Sequence, residues 1–192
     1  MKKEVASLNL GSQIRNLRNQ KGYTLERVSQ LTGLSKPHLS QIENDIVSPP
    51  IATLLKISAA LGVKIGYFFR DAPSDSRIVV TRREERTQVK QGLKSEAFSN
   101  IGYRYELLAN QFVDKYMEPF VVYIEARDQN NMIYNNHRGE EFVFVLEGTL
   151  EFRCEDQIIT LYEEDSLYFD ARLPHAYRGI GGTAKFVGVL FT

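Results

Sequence analysis

Two hydrophobic rhythms divide the 192-residue chain. Through about residue 70 the apolar positions recur at helical spacing. Leu10, Ile14 and Leu17 mark a first helix, which "QKGY" breaks. Thr24 is placed to cap a second helix with Leu25, Val28 and Leu31 on one face and Gly33 at its end. Ser35 is placed to cap a third, which turns Leu39 and Ile42 inward as far as "END". "SPP" at 48–50 opens a fourth, proline being tolerated in a first turn, and Leu54, Ile57 and Leu61 face its core before Gly62. "VKIGYFF" supplies apolar anchors for a last short helix, so the expectation is a five-helix bundle.

Beyond "DAPSDS" (71–76), a Pro/Ser/Asp linker with nothing to bury, the rhythm becomes that of strands. "RIVVT", "YRYELLA", "FVVYIEA", "EFVFVLEG", "TLEFRCE", "DSLYF" and "KFVGVLF" are short β-rich runs separated by Gly, Asn, Asp and Pro turns. They predict an antiparallel sandwich or barrel. "REERTQVKQGLKSE" is ambiguous between a loop and a helical turn. The chain therefore reads as a two-domain α + β protein. Residues 8–70 form a helical unit, 71–94 a linker and first strand, and 95–192 a β-barrel.

Charge sharpens this division. Through Arg70 there are ten Lys/Arg and four acids, a net of +6, and the remainder carries −6. A cationic head joined to an acidic body suggests that only the head approaches a polyanion. The single cysteine, Cys154, excludes an internal disulfide; alternating with Leu150 and Phe152, it reads as a buried apolar filler. No apolar run is long enough to span a bilayer, and the start has no apolar signal region, so a cytoplasmic protein is expected.

Within the head, "TLERVSQLTGLSKPHLSQIEN" has the form of two helices joined by a glycine-centred turn. Val28 and Leu39 would pack them together and Leu34 would plug the corner. The second helix keeps a polar outer face, and its N-terminal end is where side chains reach base edges in a major groove. Residues 10–69 resemble the phage-repressor (XRE) class of helix-turn-helix. The resemblance implies double-stranded operator DNA as partner, with Ser35, Lys36, Pro37, His38 and Gln41 reading bases or lining the groove. It sets Thr24, Ser40 and Asn44 near phosphates, and Arg18 against Glu43 as a brace. Pro37 departs from the polar residue often found there, which shifts direct readout to Lys36 and Gln41.

In the β-region, "NNHRGEEFVFVLEG" and "EEDSLYFDARLPHAYRG" resemble the two diagnostic segments of a cupin, an antiparallel jelly-roll barrel. The resemblance implies that His137, Glu141 and His175 converge as metal ligands, while Asn135 stands where a first histidine belongs. Asp170 and Arg172 replace the usual Pro and Gly, and Glu164 replaces the Gly before Asp165. Two imidazoles and a carboxylate suit a facial iron triad with open positions, and equally zinc, manganese or nickel. A metal-free pocket, in which His and Glu satisfy each other, is the alternative. Asn135, Tyr103 and Tyr105 are candidate effector contacts, although the two tyrosines share a strand face with Leu107 and core packing accounts for them too.

Together the two segments are similar to the XRE–cupin group of bacterial transcription regulators. Membership implies a small-molecule or metal effector in the barrel, no enzymatic activity, and a homodimer that sets two heads on a pseudo-palindromic site. A second family shares the architecture: the mononuclear non-haem iron epoxidase that makes fosfomycin from hydroxypropylphosphonate. "HRGEEFVFVLEG" and "LPHAY" are close to its pattern, and Lys21 and the Tyr103 region lie near corresponding places. Phe98, however, falls about where a phosphonate-holding arginine is expected, which leaves an anionic substrate without its fork of donors.

Overall fold

The computed structural model describes residues 10–47, 49–69, 77–90, 103–112, 115–132 and 134–191, and of Lys90, Tyr103 and Asn131 only the backbone. The 71–76 linker and Phe98 lie outside the described residues. Four helices, α1 (Leu10–Gln20), α2 (Leu25–Thr32), α3 (Lys36–Glu43) and α4 (Ile51–Ala60), carry the head. Their ends follow from local chemistry. The Thr24 hydroxyl accepts the Arg27 N–H at 3.1 Å and the Ser35 hydroxyl that of His38 at 3.3 Å. Between them Gly33 (φ 73°) closes α2 through its N–H to the Ser29 carbonyl.

The fifth expected α-helix is instead a 3-10 helix, Ile65–Phe69. Ile65, Phe68 and Phe69 are all buried, and five residues with adjacent apolar anchors suit the tighter spiral better than a 3.6-residue stripe. Ile14, Val28, Leu39, Ile42, Leu54, Ile57 and Leu61 fill the core of the head. Arg18 spans it as expected. Its Nε and Nη2 reach the two oxygens of buried Glu43 at 2.6 and 2.8 Å, and its Nη1 reaches the Tyr23 carbonyl at 2.8 Å.

Seven antiparallel strands follow: β1 (Gln88–Lys90), β2 (Tyr103–Leu107), β3 (Met117–Ile124), β4 (Glu140–Cys154), β5 (Gln157–Leu161), β6 (Ser166–Asp170) and β7 (His175–Phe191). Their order is β1-β2-β3-β7-β4-β5, with β6 also on β4. Among the described residues the sheet does not close, so the expected barrel is an open, doubled sheet whose edges are β1, β5 and β6. "EFVFVLEG" and "TLEFRCE" are one strand, and "KFVGVLF" is the second half of β7. "RIVVT" is not part of a strand, and Ile78 is 82% and Val80 59% exposed. The strand β5 was hidden by its acidic flanks.

The long strands explain the doubling. β4 and β7 pair from Glu140↔Phe191 to Cys154↔His175, with register shifts around Glu147. Laid straight, the thirteen steps from Glu141 to Cys154 would cover roughly 43 Å. Yet His175, the partner of Cys154, has its Nε2 3.6 Å from the Glu141 carboxylate. The ribbon is folded in half, and the fold falls at Gly148 (φ 80°) and Gly181 (φ 71°). A Cβ on Gly148 would stand 2.8 Å from the Thr183 carbonyl oxygen.

Head and sheet share one hydrophobic core. Phe69 meets Phe120 edge to face with centroids 6.4 Å apart, and Lys64 Nζ donates to the Lys115 carbonyl at 2.9 Å. Gly66 lies so close to Glu118 that a Cβ there would meet its Oε1 at 2.5 Å. No described helix is long and apolar enough to cross a membrane.

Two substitutions test these joints. Arg18→Ala, which strands the Glu43 carboxylate with only Arg15 nearby at 3.5 Å, should lower unfolding free energy by about 3 kcal/mol in urea titration. A loss under about 1 kcal/mol would show that the pair braces nothing. Gly148→Ala combines a left-handed backbone with a backbone clash and should cost about 2–3 kcal/mol, measured the same way; a neutral result would contradict the folded ribbon.

Candidate metal and ligand site

The doubled ribbon brings three chain segments to one cavity. Glu141 lies at the start of β4 and His175 at the start of β7. The 135–139 loop is tied down by its backbone: Asn135 exchanges two hydrogen bonds with His175 at 2.8 and 2.9 Å, and His137 N–H reaches the Ala171 carbonyl at 2.9 Å. The donor atoms of His137, Glu141 and His175 thus lie within 4.8 Å of one another. Their side chains are 5%, 8% and 4% exposed.

Backbone carbonyls fix the orientation of both rings. His137 Nδ1 is 3.0 Å from the Arg138 carbonyl and His175 Nδ1 is 2.9 Å from the Leu173 carbonyl. A carbonyl can only accept, so each Nδ1 carries a proton and turns Nε2 of its ring toward Glu141. Both Nε2 atoms face one carboxylate oxygen, Glu141 Oε2, at 3.3 and 3.6 Å. Tyr177 donates its hydroxyl to the other oxygen at 3.0 Å. Burial holds the His175 pKa below its ordinary value, against the pull of Glu141, which keeps the ring neutral. Phe169 edges onto His175 at 4.8 Å and locks its orientation.

Two imidazole nitrogens and a carboxylate oxygen turned on one point are placed to share one cation. Ligands about 2.1 Å from a shared ion are roughly 3 Å or more apart, which the observed spacings match. The outer hydrogen bonds to Nδ1 and to Glu141 are of the kind that orient metal ligands. The donor set therefore fits a divalent metal.

Around the triad the cavity, about 100 Å³, is walled by Phe120, Val122, Ile124, Phe186 and Leu190, with Asn135, Arg127 and Tyr177 adding polar atoms. Pro50, Ile51 and Ala52, at the start of α4, also line it. His137 is shared with a wider cleft of about 680 Å³ between α4 and the 136–138 loop. Asn135 thus stands beside the triad as expected. Tyr105 does not line the cavity; it is buried edge to face on Phe120, one layer behind. The side chain of Tyr103 lies outside the described residues. Lys21, on the α1–α2 turn, does not line the cavity either.

Two sequence-level departures acquire reasons. Glu164 adopts φ 70°, the left-handed conformation its glycine counterpart would take freely. Asp170 and Arg172 pair through both carboxylate oxygens, with the Arg172 guanidinium and N–H holding the Asp170 pKa down to about 2. Tyr177, Arg127 and the α4 wall escaped the sequence reading. Tyr177 was within reach, since it follows His175 by two residues on the same strand face; Arg127 and α4 gave no local signal.

On the head, the residues matched to groove contact cluster at the α2–α3 junction. Thr24, Ser35, Lys36, Pro37 and Asn44 are exposed, and His38, Ser40 and Gln41 are half-buried. Thr24 and Ser35 act as helix caps, Lys36 pairs with Glu26 at 2.6 Å, and Asn44 bonds back to the Ser40 carbonyl.

Residues 14–68 match the helix-turn-helix family and residues 124–190 the cupin domain family. The chain thus joins a helix-turn-helix domain to a cupin domain. It is 27% identical over 169 residues to the HTH-type transcriptional regulator PuuR of Escherichia coli, covering 87% of this chain and 85% of that one. An HTH_3 family transcriptional regulator from Vibrio cholerae has a similar structure, with TM-score 0.69, 25% identity, and coverage of 97% and 96%. The (S)-2-hydroxypropylphosphonic acid epoxidase of Streptomyces wedmorensis is 27% identical over 151 residues, covering 73% of this chain and 74% of that enzyme.

Replacing His137 or Glu141 by Ala should weaken Zn²⁺ or Fe²⁺ binding at least 100-fold in titration calorimetry, and Tyr177→Phe by about tenfold. Unchanged affinity in the first two would remove the triad as a metal site.

Proposed function

We propose that this chain is a sequence-specific DNA-binding transcriptional regulator whose cupin domain binds a small-molecule or metal effector. The observation that carries the reading is the α2–turn–α3 pair, capped at both junctions, which leaves the polar N-terminal end of α3 exposed on the cationic part of the chain. Residues 8–70 act as the head, 71–94 as the connection and 95–192 as the sensor. Ser35, Lys36, Pro37, His38 and Gln41 face base edges or the groove wall, and Thr24, Ser40 and Asn44 face phosphates. Lys36 exchanges its exposed partner Glu26 for DNA at small cost, because surface ion pairs contribute little.

A head of this size buries limited surface on DNA, so two heads on a pseudo-palindrome, in a cytoplasmic homodimer, supply specificity. Iron, zinc, manganese or nickel occupies the triad, and Asn135 contacts the effector. Because the α4 start walls the same cavity, an occupant touches head and sheet at once. It shifts operator affinity to the extent that it binds one arrangement of the two better.

The triad also supports a second reading, an iron epoxidase of the hydroxypropylphosphonate type. The regulator relatives span more of the chain, 87% against 73%, and an enzyme needs no polar recognition helix.

The full chain should bind a fragment of its own promoter, with affinity falling steeply as salt rises. The Lys36→Ala/Gln41→Ala double variant should lose about tenfold or more of its discrimination between operator and random duplex in gel-shift titration. Undiminished discrimination would count against these groove assignments, and indifference of the wild-type chain to every promoter fragment would end the regulator reading.

A further inference from the structure

Arg127 has no part in the metal triad, and its surroundings ask for something else. It follows Ala126, which bridges to Gly179 of β7, and it lines the cavity that holds His137, Glu141 and His175. Its Nε and Nη2 are both buried and have no hydrogen-bond partner among the described residues. Four other arginines of the sheet are paired: Arg153 and Arg178 meet Glu151, Arg172 meets Asp170, and Arg104 meets Glu106. Arg127 has only the through-space influence of Glu125, and burial pulls its pKa below the ordinary value.

An ionised guanidinium edge withdrawn from water without acceptors is costly, and structures keep such groups where a missing partner completes them. Nε and Nη2 form one edge of the fork, the arrangement that takes both oxygens of a carboxylate in parallel. Beside the triad, Val122, Ile124, Phe186 and Leu190 wall the cavity with apolar surface. The two oxygens of one carboxylate match a guanidinium edge, an ammonium would be repelled by it, and a neutral amide would leave it unneutralised.

We propose that this cavity binds a small monocarboxylate with a short apolar body, its carboxylate on the Nε/Nη2 edge of Arg127 and its body against the aliphatic and aromatic walls. The inference rests on the sensor reading and names the ligand class of that site. The bound body also presses on Pro50, Ile51 and Ala52, so the acid reports directly to α4 of the head.

The test titrates the full chain, in excess Zn²⁺, with the straight-chain acids from acetate to hexanoate, each beside its amide and its amine, and with propylphosphonate. At least one acid should bind tenfold or more tightly than its amide, amine and phosphonate counterparts. Arg127→Met should lose that preference at least tenfold, and Arg127→Lys should keep part of it, while Zn²⁺ and promoter-fragment affinities in the absence of acid stay at wild-type values. No acid binding, equal binding of acid and amide, tighter binding of the phosphonate, or full acid affinity in Arg127→Met would each overturn the proposal. Promoter binding is measured separately: its loss sinks the regulator reading even where an acid binds, and its presence without acid binding sinks only the ligand assignment.

Discussion

The functional centre of this protein depends on a ribbon that has been folded in half. β4 and β7 are hydrogen-bonded partners along almost their entire lengths, so wherever one bends the other must bend with it. Glu141 belongs to one end of that ribbon and His175 to the other. Only the sharp reversal at Gly148 and Gly181 sets them 3.6 Å apart. The site is therefore a tertiary consequence of two glycine conformations, and it is held by backbone pairing rather than by the attraction of its own side chains. That is the stiff support a ligand set needs.

Two carbonyls take the Nδ1 protons, and both Nε2 atoms face a carboxylate that also accepts from Tyr177. The Asn135–His175 and His137–Ala171 backbone bonds hold that arrangement in place. Arg127 shows a complementary imbalance, donors without acceptors, in the same cavity. The triad suits a cation and the Arg127 fork an anion, so a metal and a small acid are complementary occupants of the one cavity.

The sequence made much of this legible, for reasons that differ by element. Helix ends were readable because Thr24, Gly33 and Ser35 act on backbone groups two to four residues away. The triad was readable because its motif spacing matches a known family, not because anything local predicts convergence. The last helix was misjudged because apolar content does not distinguish a 3-10 turn from an α-helical one. Closure of the barrel was overestimated and "RIVVT" was taken for a strand because composition cannot say which edges find partners. The α4 wall was invisible because it meets the cavity across more than sixty residues of chain, and Arg127 because no local pattern marks it as facing the triad.

The packing of α4 against the cavity also constrains how a signal travels. Regulation across domains is often ascribed to a relay of residues, which demands coupling at every step. Here no relay is required, because Pro50, Ile51 and Ala52 share the cavity with His137 and Glu141, and α4 shares a core with the helix-turn-helix pair. Phe69 on Phe120 and Lys64 on the Lys115 carbonyl hold the same seam farther along. An occupant that fits better with α4 displaced must therefore strain these contacts or move the head with them, because packed interfaces shift between discrete arrangements rather than deform smoothly. Occupancy and head position then become two descriptions of one packing choice.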